Sequence, residues 1–203
     1  AGTAVTTGNA NVLIGAIAGD AITEGANNVA VGDSTLGAVT TSSNNTAIGH
    51  NAGFTLTSGS QNVFAGTNAG KLQTTAANNV AVGFNALDAA TEGGSNVAVG
   101  AAALGANTTA PNNTAVGHNS LGANTTGTEN TAAGVSSALA NTTGDYNTAF
   151  GSNALATNTT SDSNTAIGSY ALNKNTDGAS NVAIGSSAMQ ANTTGANNTA
   201  VGT

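Results

Sequence analysis

Apolar and polar positions along this chain recur with one fixed period. A pentad, Asn followed by Val or Thr, two apolar residues and Gly, begins at Asn11, Asn28, Asn45, Asn62, Asn79, Asn96, Asn113, Asn130, Asn147, Asn164, Asn181 and Asn198. Every interval is 17 residues, without insertion or deletion, so the chain reads as twelve units on a single register. Self-similarity of this kind is the mark of a repeat architecture. Numbering each unit from its leading Asn, position 5 is Gly in all twelve copies: Gly15, Gly32, Gly49, Gly66, Gly83, Gly100, Gly117, Gly134, Gly151, Gly168, Gly185 and Gly202. Position 13 is always Thr: Thr6, Thr23, Thr40, Thr57, Thr74, Thr91, Thr108, Thr125, Thr142, Thr159, Thr176 and Thr193. Position 8 is Ala in nine copies, and position 9 is most often Leu, as at Leu87, Leu104 and Leu121.

A unit this short cannot hold a helix–turn–helix pair, which needs over about 30 residues. Val, Ile and Thr at positions 2 and 4 favour a strand, and Gly, Asn and Ser at 5 and at 15 to 17 are turn residues. The pattern predicts a strand over positions 1–4, a turn at 5–6, a second short strand near 7–9, a third extended stretch over 11–14 and a corner at 15–17. The fold class is therefore all-β: a parallel β-solenoid, or β-roll, of twelve 17-residue coils forming one domain over residues 1–203. Coils stacked at about 4.8 Å give a rod roughly 55 Å long. The leading Asn column then forms a ladder in which each amide donates to the next carbonyl. The Thr column does likewise with its hydroxyls, and the Gly column makes the turns.

The core of such a coil is thin, and the sequence predicts one bulky side chain per coil. Leu at position 9 goes with Asn at 12, as in Leu121 and Asn124, whereas Gly at 9 goes with a larger neighbour: Gly2 with Val5, Gly19 with Ile22, Gly53 with Leu56 and Gly70 with Leu72. Phe64 and Ala65 exchange large and small between positions 3 and 4, a volume-conserving swap. Position 3 is Ala in ten copies, with Leu13 and Phe64 the others. Since positions 2 and 4 share one face of the strand and 3 lies on the other, this flat Ala column is expected to be an interface between chains. The expected assembly is a parallel homotrimer.

Charge narrows the functional classes. Nine acidic residues stand against Lys71 and Lys174, for a net charge of −7. With no basic patch, duplex nucleic acid is not an expected partner. No apolar run approaches the roughly 20 residues of a membrane span, and the chain has no Cys for disulfide or thiolate chemistry. His50 and His118 share position 6 but stand four coils apart, so they read as solvated turn residues. Asp145 and Asp162 occupy position 16 of adjacent coils, where they read as a solvated acidic patch. No catalytic, cofactor-binding or metal-binding residues are expected, and the chain is not expected to be an enzyme. Adjacent Thr residues such as Thr125 and Thr126 point one in and one out, which disfavours a flat ice-binding array. Asn-x-Thr triplets at Asn107, Asn124, Asn141, Asn158 and Asn192 fit turns, and are also the acceptor pattern for glycans.

The unit Asn113-Thr114-Ala115-Val116-Gly117-His118-Asn119-Ser120-Leu121 and its sisters resemble two groups of repeats. One is the head of trimeric autotransporter adhesins (YadA-like), with its Val-Ala-Ile-Gly core. The other, closer because it includes the Ala-Leu at positions 8 and 9, is the Asn-Thr-Ala-x-Gly-x-x-Ala-Leu repeat of phage and large-virus tail fibres and of bacterial surface proteins. The resemblance covers the whole chain, though the 17-residue period departs from the shorter one of the adhesin head. It implies a trimeric β-roll outside the cell or on the virion. The resulting expectation is a fibre or adhesin shaft that holds a receptor- or glycan-binding element away from a surface, with His50, Phe84, His118, Tyr146 and Tyr170 as candidate contacts. The alternative is an extracellular filament whose uncapped solenoid units stack end to end.

Overall fold

The structure, a computed structural model covering residues 1–203, is a parallel β-solenoid with no helix. Each unit contributes one strand: β1 (Val12–Ile14), β2 (Val29–Val31), β3 (Thr46–Ile48), β4 (Val63–Ala65), β5 (Val80–Val82), β6 (Val97–Val99), β7 (Thr114–Val116), β8 (Thr131–Ala133), β9 (Thr148–Phe150), β10 (Thr165–Ile167), β11 (Val182–Ile184) and β12 (Thr199–Val201). They form a single twelve-stranded sheet in sequence order. Every pairing is parallel and in register, so Val97, Ala98 and Val99 lie beside Thr114, Ala115 and Val116. A one-residue slip would turn the inward column outward, and the invariant 17-residue period prevents it.

The coil is less strand-like than its composition implies. The strand covers positions 2–4 only, and the expected second and third extended stretches are turns and bends. For the second stretch the cause is backbone handedness. Positions 7, 9 and 17 adopt left-handed conformations in coil after coil, for example Asn119 (φ 55°), Leu121 (φ 50°) and Glu129 (φ 57°). The corners at 7 and 9 break the expected second strand, whereas no residue over positions 11–14 is left-handed and the chain there bends without pairing as a strand. Asn tolerates the left-handed region, which accounts for the doublets Asn27-Asn28, Asn44-Asn45, Asn78-Asn79 and Asn112-Asn113. The first Asn of each makes the corner and the second is buried in the stack.

Of 127 backbone hydrogen bonds only 22 lie within the sheet, so coils are joined mainly through their turns. Leu104 donates to the carbonyl of Ser120 at 3.0 Å, and Thr108 to that of Thr125 at 3.0 Å, each a step to the next coil. These bonds satisfy backbone groups that the turns would otherwise leave buried without partners.

Positions 3, 8, 9 and 12 fill the interior. Ala98, Ala103 and Leu104 are fully buried, and the same columns continue from coil to coil. The Ala column at position 3 is thus the coil interior and not an interface between chains. Positions 2 and 4 face outward instead. Ile22 and Leu56 fill their coils as expected, but Val5 and Leu72 are exposed at 36% and 45%. The space beside Gly70 and Gly53 is taken by Phe64, and that beside Gly2 and Gly19 by Leu13. Phe64 points inward and Ala65 outward, so the two do not exchange volume in one compartment. Phe64 therefore depends on Gly at both flanking position 9 sites. Changing Gly70→Leu alone is expected to cost about 3 kcal/mol through overpacking against the ring. Phe64→Ala alone is expected to cost about 3–5 kcal/mol through the cavity. Combined, the two changes should cost at least ~2 kcal/mol less than the sum of the singles. Urea denaturation of the four proteins checks this, and strict additivity would refute the shared space.

Candidate functional site: stacking ladders and outward faces

Both predicted ladders exist, with chemistry that differs in part from that expected. The position 1 side chains bond mainly to backbone, and at five of the eleven steps the amide also donates to the Asn Oδ1 of the neighbouring coil, as expected, at 3.1–3.3 Å. Asn113 Oδ1 accepts the N–H of Asn130 at 2.9 Å, and Asn113 Nδ2 donates to the carbonyl of Gly127 at 2.8 Å. The link from each leading Asn to the next N–H recurs at all eleven steps, from Asn28 on Asn11 to Asn198 on Asn181. The geometry explains the column. Position 2 donates toward the following coil, as Val12 does to the Asn28 carbonyl. The N–H of position 1 points the other way, where no backbone carbonyl meets it. The Asn side chain supplies the missing acceptor, and its amide NH2 bridges to position 15. Asn164 departs from the pattern, since its Nδ2 is buried without a partner.

The Thr column behaves similarly. Thr108, Thr125 and Thr142 donate their hydroxyls to the backbone carbonyl of the next Thr at 2.9–3.0 Å, so the hydroxyls do not chain to one another. The residues at position 14, such as Thr109, Thr126 and Thr143, are exposed. The position 13 Thr is half-buried beside an exposed neighbour in Thr108-Thr109, Thr125-Thr126 and Thr142-Thr143, whereas both members of Thr40-Thr41 and Thr193-Thr194 are exposed.

A second, unbroken side-chain amide ladder was not anticipated. It lies at position 12, where Asn124 donates to Asn107, Asn141 to Asn124, Asn158 to Asn141, Asn175 to Asn158 and Asn192 to Asn175, at 2.9–3.1 Å. Each amide also donates to the position 15 carbonyl of its own coil, as Asn124 does to Gly127. Asn107, Asn124, Asn141 and Asn158 are fully buried and Asn192 is half-buried, so the Asn of these triplets belongs to the stack rather than to an exposed turn. The available signal was the run of six consecutive units with Asn at position 12.

The acidic residues at position 16 also stack. Asp145 Oδ1 accepts the N–H of Thr128 at 2.6 Å, and Asp162 Oδ1 accepts that of Asp145 at 2.8 Å. Ser43 and Ser60 do the same for Ala26 and Ser43. A polar side chain here takes the place of an absent backbone acceptor, so Asp145 and Asp162 are not a freely solvated patch. Asp20 uses the same device on Thr3, and these bonds hold its carboxyl below the usual 3.8. No three His, Asp or Glu side chains come together as a metal site. His50 and His118 are exposed at their turns, and His50 Nδ1 lies 3.2 Å from Asp33 Oδ2 in the preceding coil. Phe84, Tyr146 and Tyr170 are likewise exposed, in three different coils.

Two outward features stand apart. The first is a shallow groove of about 530 Å³ where position 10 is Gly in consecutive coils, at Gly105 and Gly122, between Asp88 and Leu139. Half-buried Asp88 has its carboxyl pushed above the ordinary 3.8 by desolvation. The unfolded chain therefore releases this proton first, and stability falls as pH rises through the raised value. Asp88→Asn should accordingly be more stable than the parent at about pH 7 and equal to it near pH 3. Thermal denaturation at the two values checks the sign. The second feature is the outward face of the sheet. All twelve position 4 residues are apolar and position 2 is Val or Thr throughout, with no charged side chain in either column. Ile14, Ile48, Val116, Phe150, Ile167 and Ile184 are exposed, Ile14 at 58% and Phe150 at 44%.

Comparison with protein-family models, curated proteins and solved structures finds no match to this chain.

Proposed function

We propose that this chain is the shaft of an extracellular fibre or surface appendage, a mechanical element that holds an attachment site away from a cell or virion. The observation that carries this reading is the uninterrupted position 1 ladder. At eleven successive steps the same side chain, buried at all but the first, joins one coil to the next. The interior is devoted to stacking, and a rod with nearest-neighbour coil contacts transmits load along its axis. The reading also takes in the resemblance to adhesin-head and tail-fibre repeats. It includes three chains lying side by side, and a receptor or glycan as the ultimate contact of the fibre.

The test is immuno-electron microscopy of the particles or cells that produce the protein, with antibodies raised against the purified chain. Label along projecting appendages is the expected result. Label confined to the cell interior would overturn the reading.

A further inference from the structure

We infer that the segment Asp88–Gly94 is a yielding joint, where the solenoid opens first and which divides it into two separately stacked blocks. The joint is a property of the stacked coils themselves and does not rest on the shaft reading.

Side-chain links between coils are unevenly distributed. Between the coil that begins at Asn79 and the one that begins at Asn96, only two side-chain bonds span a full 17-residue step, the fewest between any two complete coils. The Asn96 N–H donates to Asn79 Oδ1 at 2.8 Å, and Thr91 Oγ1 to the Thr108 carbonyl at 3.3 Å. By contrast, the coil that begins at Asn113 is tied to the next at positions 1, 8, 12, 13 and 16. The difference lies in the sequence. Position 12 holds buried Ile22, Val39 and Leu56 before the joint, and Asn in every coil from Asn107 onward. Gln73 bonds to Asn79 but leaves its own Nε2 buried without a partner. At Ala90 the column has only a methyl group, so Asn107 donates to the Ala110 carbonyl of its own coil and finds no amide in the preceding one. Position 16 is Ala77, Gly94 and Pro111 in three successive coils, none with a side-chain acceptor.

The backbone is looser at the same place. Ala90 is the only position 12 residue whose N–H does not reach the position 9 carbonyl of its own coil, and Ala89 and Glu92 donate to no backbone carbonyl. Their equivalents Asn124, Ala123 and Thr126 bond to the carbonyls of Leu121, Leu139 and Thr142 at 3.0–3.2 Å. Gly93-Gly94, the one Gly-Gly pair in the chain, follows directly, and glycine gains more backbone freedom on opening than any other residue. The groove at Gly105 and Gly122 runs alongside, with Asp88 in its wall, and gives water a path to the segment. In a solenoid, stability is a sum of coil terms and nearest-neighbour terms, so the most weakly tied step sets where local opening begins.

Amide hydrogen exchange of the full chain, read residue by residue, tests the joint. Thr91 and Thr125 occupy the same position and hold equivalent bonds, to the carbonyls of Thr108 at 2.8 Å and Thr142 at 2.9 Å. Thr91 is expected to exchange at least about tenfold faster, since its protection ends whenever the joint opens. A Thr91 no faster than Thr125 overturns the inference. A glutamate-specific protease gives a second reading, because Glu24, Glu92 and Glu129 are the only Glu residues and all are exposed. Cleavage after Glu92 should outpace cleavage after Glu129 by at least about fivefold, and equal rates or the reverse order overturn the inference. Ala90→Asn restores the missing rung, with an acceptor for Asn107 and a donor for the Gly93 carbonyl. Leu87 in the same coil suits it, as Leu121 suits Asn124. The variant is expected to bring Thr91 within about twofold of Thr125, and an unchanged Thr91 would refute the missing rung as the cause. If the variant misfolds, the comparison within the parent chain decides alone. The microscopy described above bears only on the shaft reading.

Discussion

Replacing Gly117 by Ala should destabilise the solenoid by about 4 kcal/mol or more. Two penalties coincide at this position. Its φ is +131°, a region that side chains rarely adopt. An added β-carbon would also lie 2.5 Å from the carbonyl oxygen and 2.7 Å from the carbonyl carbon of Gly134 in the next coil. Backbone on both sides of the contact leaves nothing flexible to yield, so adjacent coils must separate and lose their ladder bonds. Gly122→Ala is the control. Its β-carbon would meet only Leu139 Cδ1 at 3.1 Å and Asn119 O at 3.2 Å, and the expected change is within about 1 kcal/mol. Urea denaturation separates the two cases, and equal stability of the two variants would refute the stacking argument.

Asn113→Ala is the second large effect, at about 3 kcal/mol. The change strands the buried N–H of Asn130, whose acceptor is Asn113 Oδ1. The Gly127 carbonyl keeps a second donor in Asn124, so the loss on that side is smaller. Asn113→Asp keeps the acceptor but sets a carboxylate oxygen toward the carbonyls of Gly127 and Pro111, at the places now held by Nδ2. That change should cost as much or more, about 3–5 kcal/mol near neutral pH, and less once acid protonates the group. Asn164→Ala should cost less than Asn113→Ala, because Asn164 Nδ2 has no partner to lose. Thermal melts of the three variants test the ranking, and a harmless Asn113→Ala would mean that the column is ornamental.

The parts of this fold that were legible in the sequence are those that a strict period determines. Eleven identical intervals give the number of coils, their parallel order and their register without reference to side-chain detail. The direction of each side chain was harder to read. Positions 3 and 4 are both apolar, so hydrophobicity could not say which lines the interior. Size did carry the answer: ten Ala at position 3 fit a narrow lumen, and Ile, Val and Phe at position 4 do not. The second strand was misplaced because Leu121 and its equivalents favour extended or helical backbone, yet they sit at left-handed corners. Burial of Leu121 offsets the local strain, a tertiary effect that propensity cannot register. The position 12 amides were obscured by their resemblance to turn residues, since a buried Asn is readable only from the partner above it.

The 17-residue step between bonded partners has a kinetic consequence. Parallel sheets ordinarily join strands that are far apart in sequence and fold slowly for that reason. In this sheet each strand's partners lie one unit before and after it. The relative contact order for such pairings is about 0.08, in the range of helical bundles rather than β-sandwiches. A nascent chain needs only two adjacent units to close the first ladder rung, and each later unit adds itself to an edge already formed. Folding should therefore run as a zipper from an initial pair, and each new coil can dock soon after its residues leave the ribosome, before a long apolar stretch accumulates.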